Sequence, residues 1–144
     1  MAQVTRENVG YLLAKASQRW NELLQAGFAE EGFPEVKASY GSVLVPLFEE
    51  DGLRMGELAR RSRLSKQTMT TMVRLCARDG LVRRRPDPED RRAARVHLTP
   101  LARRFQPAAE RVLDRLAGEV DTILGERRHA TLRRSLTDLQ RLGG

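Results

Sequence analysis

Six arginines crowd the stretch Leu81 to Pro100, which reads LVRRRPDPEDRRAARVHLTP. A guanidinium is a permanent cation with a fixed fork of donors, a geometry matched to phosphate oxygens. Arg83, Arg84, Arg85, Arg91, Arg92 and Arg95 surround a tip that carries Pro86, Pro88 and three acids. The runs Leu81 to Arg85 and Ala93 to Leu98 are short enough to be strands. Proline on both sides of Asp87 withholds backbone donors and fixes turn geometry, so the two runs are expected to meet as a hairpin with the arginines projecting from it. Strand alternation puts Arg84 on the face opposite Arg83 and Arg85. Directly upstream lies a helix-turn-helix pattern, and an arginine-studded hairpin after such a pattern points to a wing that grips a DNA backbone.

Other chemistry finds little support. His97 and His129 are the only histidines, far apart and without a cysteine cluster, so no metal site is expected. No serine or acid pairing has a spacing that specifies catalysis, and no glycine loop is built to cradle phosphate. The reading is therefore not an enzyme and no cofactor. Cys76 follows Met69, Met72 and Val73 at helical spacing, which predicts a buried, inert thiol. A single cysteine fits a reducing compartment. The chain has neither an apolar run near the ~20 residues that span a membrane nor a signal-peptide pattern at Met1 to Glu7. A cytoplasmic protein without a membrane partner is expected.

Three sections must position these groups, within one compact domain per subunit. Residues 1–50 carry four basic and seven acidic side chains. Val9, Leu12, Leu13, Ala16, Trp20, Leu23, Leu24 and Phe28 repeat at three and four residues, predicting an amphipathic helix ended by Gly32 and Pro34. A second helix is expected from near Glu35, bent or shortened by Pro46. Residues 51–99 hold the helix-turn-helix and the hairpin; with the next five residues they carry fifteen basic against six acidic side chains. Here a short helix spans Gly56 to Arg61, Ser65 caps a second that runs to Asp79, and Gly80 takes a left-handed C-terminal position. In residues 100–144, Thr99 caps a long helix with Pro100 in its first position. Pro107 should kink that helix, and Gly125 should break it before a last apolar stripe, Leu132 to Leu142. The excess positive charge thus sits in the middle of a chain whose net charge is +7, the footprint of a nucleic-acid-binding module. The terminal helices present more apolar stripe than so small a domain can cover, which predicts a homodimer.

The segment LSKQTMTTMVRLCARDGLVRRRPDPEDRRAARVHLTP resembles the recognition helix and wing of the multiple-antibiotic-resistance regulator (MarR) family. SVLVPLFEEDGLRMGELARRSRLS is similar to the elements that precede them there. The resemblance implies a mainly α fold with a small β-hairpin wing: a winged helix-turn-helix flanked by N- and C-terminal dimerisation helices. It implies a homodimeric transcriptional regulator, usually a repressor, that binds double-stranded DNA at a palindrome and is often released by a small molecule. The start Ser65, Lys66, Gln67 and Thr68 would enter the major groove, with Thr70, Thr71 and Arg74 on the exposed side. Asp90 and Arg92 match the wing motif in which the arginine reaches the minor groove and the acid helps hold it. Lys66 and Gln67 are long enough for base edges, whereas Arg83, Arg84, Arg85, Arg91 and Arg95 would mostly contact phosphate or solvent. Arg63 stands where the family often has glycine, and Arg74-Leu75 inverts a common acid-then-basic order. A small aromatic effector is expected near Trp20, Phe28, Tyr40, Val43 and Phe48, between the dimerising helices and the winged region. The alternative is an architectural module that binds DNA without reading bases. The polar residues from Ser65 to Thr70 weigh against it.

Overall fold

The computed structural model describes residues 4–144. Helix α1 spans Val9–Glu30; the Asn8 side chain caps it by accepting the Gly10 amide at 2.9 Å. Its C-terminus closes on Gly32 (φ +94°), with the Phe33 amide donating to the Phe28 carbonyl at 2.9 Å. Phe28 and Phe33 then both set an edge against the Phe105 ring, with centroids 4.8 and 5.3 Å away.

The next helix does not begin near Glu35. The Gln25 side chain donates to the Val36 carbonyl at 2.6 Å and accepts the Ala38 amide at 2.9 Å, which holds this segment off the helical path and buries Val36. A single 3-10 turn, Ala38–Tyr40, leads into α2, Gly41–Glu49. Pro46 lies inside α2 and cannot donate to the Ser42 carbonyl one turn back. The Ser62 hydroxyl fills that place at 2.5 Å, so the proline's deficit becomes a link to the helix-turn-helix.

Helix α3 is Met55–Arg61 and α4 is Lys66–Arg78. Arg63, in the turn between them, holds φ +53°, a left-handed conformation that a side chain disfavours. Its guanidinium donates to the Gln140 carbonyl at the far end of the chain. Ser65 caps α4 as expected, accepting the Thr68 amide at 3.1 Å. At the other end Gly80 (φ +81°) lets the Leu81 amide reach the Cys76 carbonyl.

The hairpin strands are β2, Val82–Pro86, and β3, Ala94–Leu98. The sheet has three strands rather than two. A two-residue strand, β1, Leu53–Arg54, pairs antiparallel with β3 and gives the order β1-β3-β2. Two residues are too few to show alternation, and β1 exists because β3 lies beside it.

Helix α5 spans Pro100–Leu124, capped by the Thr99 hydroxyl, and Pro107 does not interrupt it. Gly125 (φ +82°) separates it from α6, Glu126–Leu139. One core cluster joins α1, α2, the winged region and the first half of α5, including Leu47, Leu58, Met69, Val73, Val96 and Val112. Gly27 makes the α1–α5 approach possible: a Cβ there would lie 2.6 Å from Val112 Cγ1. Helix α6 buries no residue in this core. Leu12, Leu113, Ile123, Leu132, Leu136 and Leu142 stay exposed, Ile123 at 78% and Leu142 at 77%.

Candidate nucleic-acid interface

The sequence of α4 separates two faces. Met69, Val73 and Cys76 recur at helical spacing and are fully buried, Met72 is partly so, and Lys66, Gln67, Thr68, Thr71 and Arg74 are exposed. The Thr70 hydroxyl donates to the Lys66 carbonyl at 2.8 Å and that of Thr71 to the Gln67 carbonyl at 3.2 Å. Both hydroxyls are thereby left as acceptors at their free lone pairs. Leu75 is partly exposed.

Between the start of α4 and the wing runs a cleft of about 1000 Å³. Lys66 and Thr70 line one wall, Arg84, Arg85, Arg91 and Arg92 the other, with Arg54 and Gly56 between them. Gly56 lies against the Lys66 stem: a Cβ there would meet Lys66 Cε at 3.5 Å, an ordinary contact. Two acids also line the cleft, Glu57 and Asp90. Glu57 is met by Arg60 Nη2 at 2.5 Å and Arg61 Nε at 2.9 Å. Those hydrogen bonds, Arg60 before Arg61, hold its carboxyl down at about 2. Among the described residues, Lys66, Arg84, Arg85, Arg91 and Arg92 have no acidic partner within ion-pair distance, so the cleft keeps a strong positive field.

The hairpin arginines are not equivalent. Arg84 pairs with Val96 across the ladder and shares a face with buried Val82, the face turned toward the core and α4. Arg83 pairs with His97 and does not border the cleft. The sequence reading grouped Arg83 with Arg85 and set Arg84 on the opposite face; the structure brings Arg84 and Arg85 to the cleft. The signal was present in apolar Val82, which sets the phase of the strand.

Arg95 was expected to project, and it does not. Its Nη1 donates to the Gly52 carbonyl at 3.0 Å and its Nε lies 3.3 Å from Asp87 Oδ1. Asp87, read in the sequence only as a turn residue, is 2% exposed. Its carboxyl is held below the usual carboxylate range, first by the Glu89 amide that donates to it and then by Arg95 and Arg54. Asp90 accepts the Arg92 backbone amide at 3.0 Å and makes no ion pair among the described residues, so it shapes the loop without holding the Arg92 guanidinium.

The residues expected around an effector are mostly packed away. Phe28, Tyr40 and Val43 belong to the buried core, and Trp20 and Phe48 are half-buried against it. The Tyr40 hydroxyl donates to Asp79 Oδ2 at 2.5 Å; burial, then this acid, pushes its pKa up to about 12. This bond ties the segment before α2 to the end of α4. None of the five lines the cleft between α4 and the wing. Cys76 is buried and its thiol is pushed up to about 12, chiefly by loss of water and secondly by Asp79. Among the described residues no cluster of three or more His, Cys, Asp or Glu could hold a metal, and no helix is long and apolar enough to cross a membrane.

Helix-turn-helix, three-stranded wing and long flanking helices together define a winged helix-turn-helix protein. The MarR family model matches residues 38–94, from the 3-10 turn to the start of β3, and over that stretch the chain is similar to MarR-family transcriptional regulators. The HTH-type transcriptional repressor YetL of Bacillus subtilis (strain 168) is 36% identical over 85 residues, 58% of this chain and 49% of that protein. The match thus spans about half the length of this curated relative. The PcaV regulator of Streptomyces coelicolor, solved with its natural ligand, superposes with a TM-score of 0.82 at 21% identity, covering 100% of both chains. The repressor CouR, solved on a 23-mer DNA duplex, gives 0.81 at 23% identity over 97% of this chain and 100% of that one. At these identities both likenesses are likenesses of fold.

Proposed function

We propose that this chain is a sequence-reading transcriptional regulator, a repressor that binds double-stranded DNA as a homodimer. The observation that carries the reading is the cleft between α4 and the wing, where Lys66, Arg84, Arg85, Arg91 and Arg92 stand without acidic partners. The start of α4 enters the major groove, Lys66 and Gln67 reach base edges, and the tip with Arg91 and Arg92 follows the neighbouring minor groove. The exposed apolar residues of α1, late α5 and α6 supply the two-fold contact. Selection from random duplexes tests this. A palindrome with half-sites about one helical turn apart is expected, and recovery of no sequence preference refutes base reading. Ile123→Asp with Leu136→Asp should turn a dimer into a monomer in sedimentation; an unchanged mass refutes the two-fold contact.

The fold likeness to a ligand-bound regulator supports an effector, and packing restricts where it acts. Phe28, Tyr40 and Val43 are committed to the core, so an aromatic acid is proposed to engage the half-buried Trp20 and Phe48 and to weaken DNA binding through different affinity for two conformations. Titration of aromatic acids should change Trp20 emission and release DNA together. A panel that moves neither signal refutes the effector reading.

A further inference from the structure

Asp87 is a buried carboxylate that neither base reading nor phosphate binding uses. A charge removed from water is costly unless it is paired and hydrogen-bonded. Here the whole wing tip is wrapped around it. Its amide donates to the Ala93 carbonyl at 3.0 Å, its carbonyl accepts the Asp90 amide at 3.3 Å, and Oδ1 accepts the Glu89 amide at 3.0 Å. Oδ2 is buried without a hydrogen-bond partner; its charge is met by Arg54, whose Nε lies 2.6 Å away. Arg54 also comes within 3.7 Å of Glu89.

Arg54 is the last residue of β1 and leads directly into α3, which packs on α4. The β1–β3 ladder ends at the pair Arg54–Arg95, so residues of the tip beyond it have no β1 backbone to pair with. A ribbon of β2 and β3 alone twists and pivots easily. We propose that Asp87 and Arg54 form a positioning clamp, which fixes the angle of the wing tip against α3 and α4 so that Arg91 and Arg92 are already aimed when DNA arrives. The clamp rests on the DNA-binding reading. It assigns Arg54, half-exposed at the edge of the cleft, to the protein's own geometry and not to phosphate.

A double-mutant cycle separates the two roles. Arg54→Gln, Arg92→Ala and the double variant are compared in fluorescence anisotropy on a duplex selected with the wild-type protein, with mass and melting temperature measured for each. Each single change should weaken binding by about tenfold or more, the order of effect when a charged group loses its partner. If Arg54 acts through the tip, the double variant should match Arg92→Ala alone to within about twofold. Losses that multiply make Arg54 an independent phosphate contact and overturn the clamp, as does an Arg54→Gln variant of wild-type affinity. Arg92→Ala without loss removes the wing reading itself, and the clamp falls with it. Hydrogen exchange of the free protein gives a readout that needs no DNA. Arg54→Gln, and Asp87→Asn if it folds, should speed exchange at the Asp87 and Ala93 amides and leave mid-α4 amides unchanged; equal protection at the tip overturns the proposal.

Discussion

Neighbouring arginines on one strand should differ sharply in what they give to DNA binding. Lys66, Arg84, Arg85, Arg91 and Arg92 line the cleft unpaired, so the proposed dimer would offer ten such cations. If each neutralises one phosphate, the slope of log K against log salt is about −9, at roughly −0.9 per contact. Arg84→Ala removes two contacts per dimer and should bring the slope to about −7. Between 50 and 200 mM salt, that change reduces the loss of affinity by a factor of roughly 12. Arg83 borders no part of the cleft, and Arg83→Ala should leave the slope near −9, at about its wild-type value. Anisotropy titrations at four or five salt concentrations measure both variants. A slope change for Arg83→Ala equal to or larger than that for Arg84→Ala refutes the face assignment on which the interface is built.

Three further outcomes follow from the packing and the charges. Gly27→Ala puts a Cβ 2.6 Å from Val112 Cγ1, which should cost about 1–3 kcal/mol of stability; an unchanged melting temperature refutes the close α1–α5 approach. Cys76, buried with its thiol pushed up to about 12, should react with a disulfide reagent only at the rate of unfolding, and rapid modification of the native protein contradicts that burial. Asp87 has a folded pKa lowered from 3.8, so its stabilisation of the wing is present above about 3.8 and is lost as pH falls through the lower folded value. Limited proteolysis of the tip should stay slow from neutral pH down to about 4 and accelerate below it; a tip that opens between pH 7 and 5 refutes this role.

The helices were legible because their signals are local. Ser65, Thr99, Gly80 and Gly125 mark ends by chemistry that operates within one turn, and the buried stripes of α4 and α5 recur at helical spacing. Two features escaped for the opposite reason. The extended segment before Tyr40 depends on Gln25, eleven residues before Val36 in the chain, and no pattern within the segment reveals that clamp. Strand β1 is two residues whose partner, β3, lies some forty positions away. Aromatic side chains were equally ambiguous. Tyr40 could have lined a pocket or filled the core, and the decision rests with Asp79, which gives its hydroxyl a hydrogen-bond partner.

At the interface, the hairpin arginines look interchangeable in the sequence because each contributes the same charge. What separates them is where each side chain lies relative to the cleft and whether an acid has already claimed its charge. Asp87 takes Arg54 and Arg95 at 2.6 and 3.3 Å, and Glu57 takes Arg60 and Arg61, so four cations near the cleft are spent inside the protein. Lys66, Arg84, Arg85, Arg91 and Arg92 remain, and they stand on the two walls that a groove and its flanking phosphates would meet. A count of arginines therefore overstates the attraction for DNA. The physically relevant quantity is the excess of cations over the acids within reach, and in this wing a buried carboxylate, Asp87, commits Arg54 and Arg95 to the fold and leaves Arg84, Arg85, Arg91 and Arg92 for a partner.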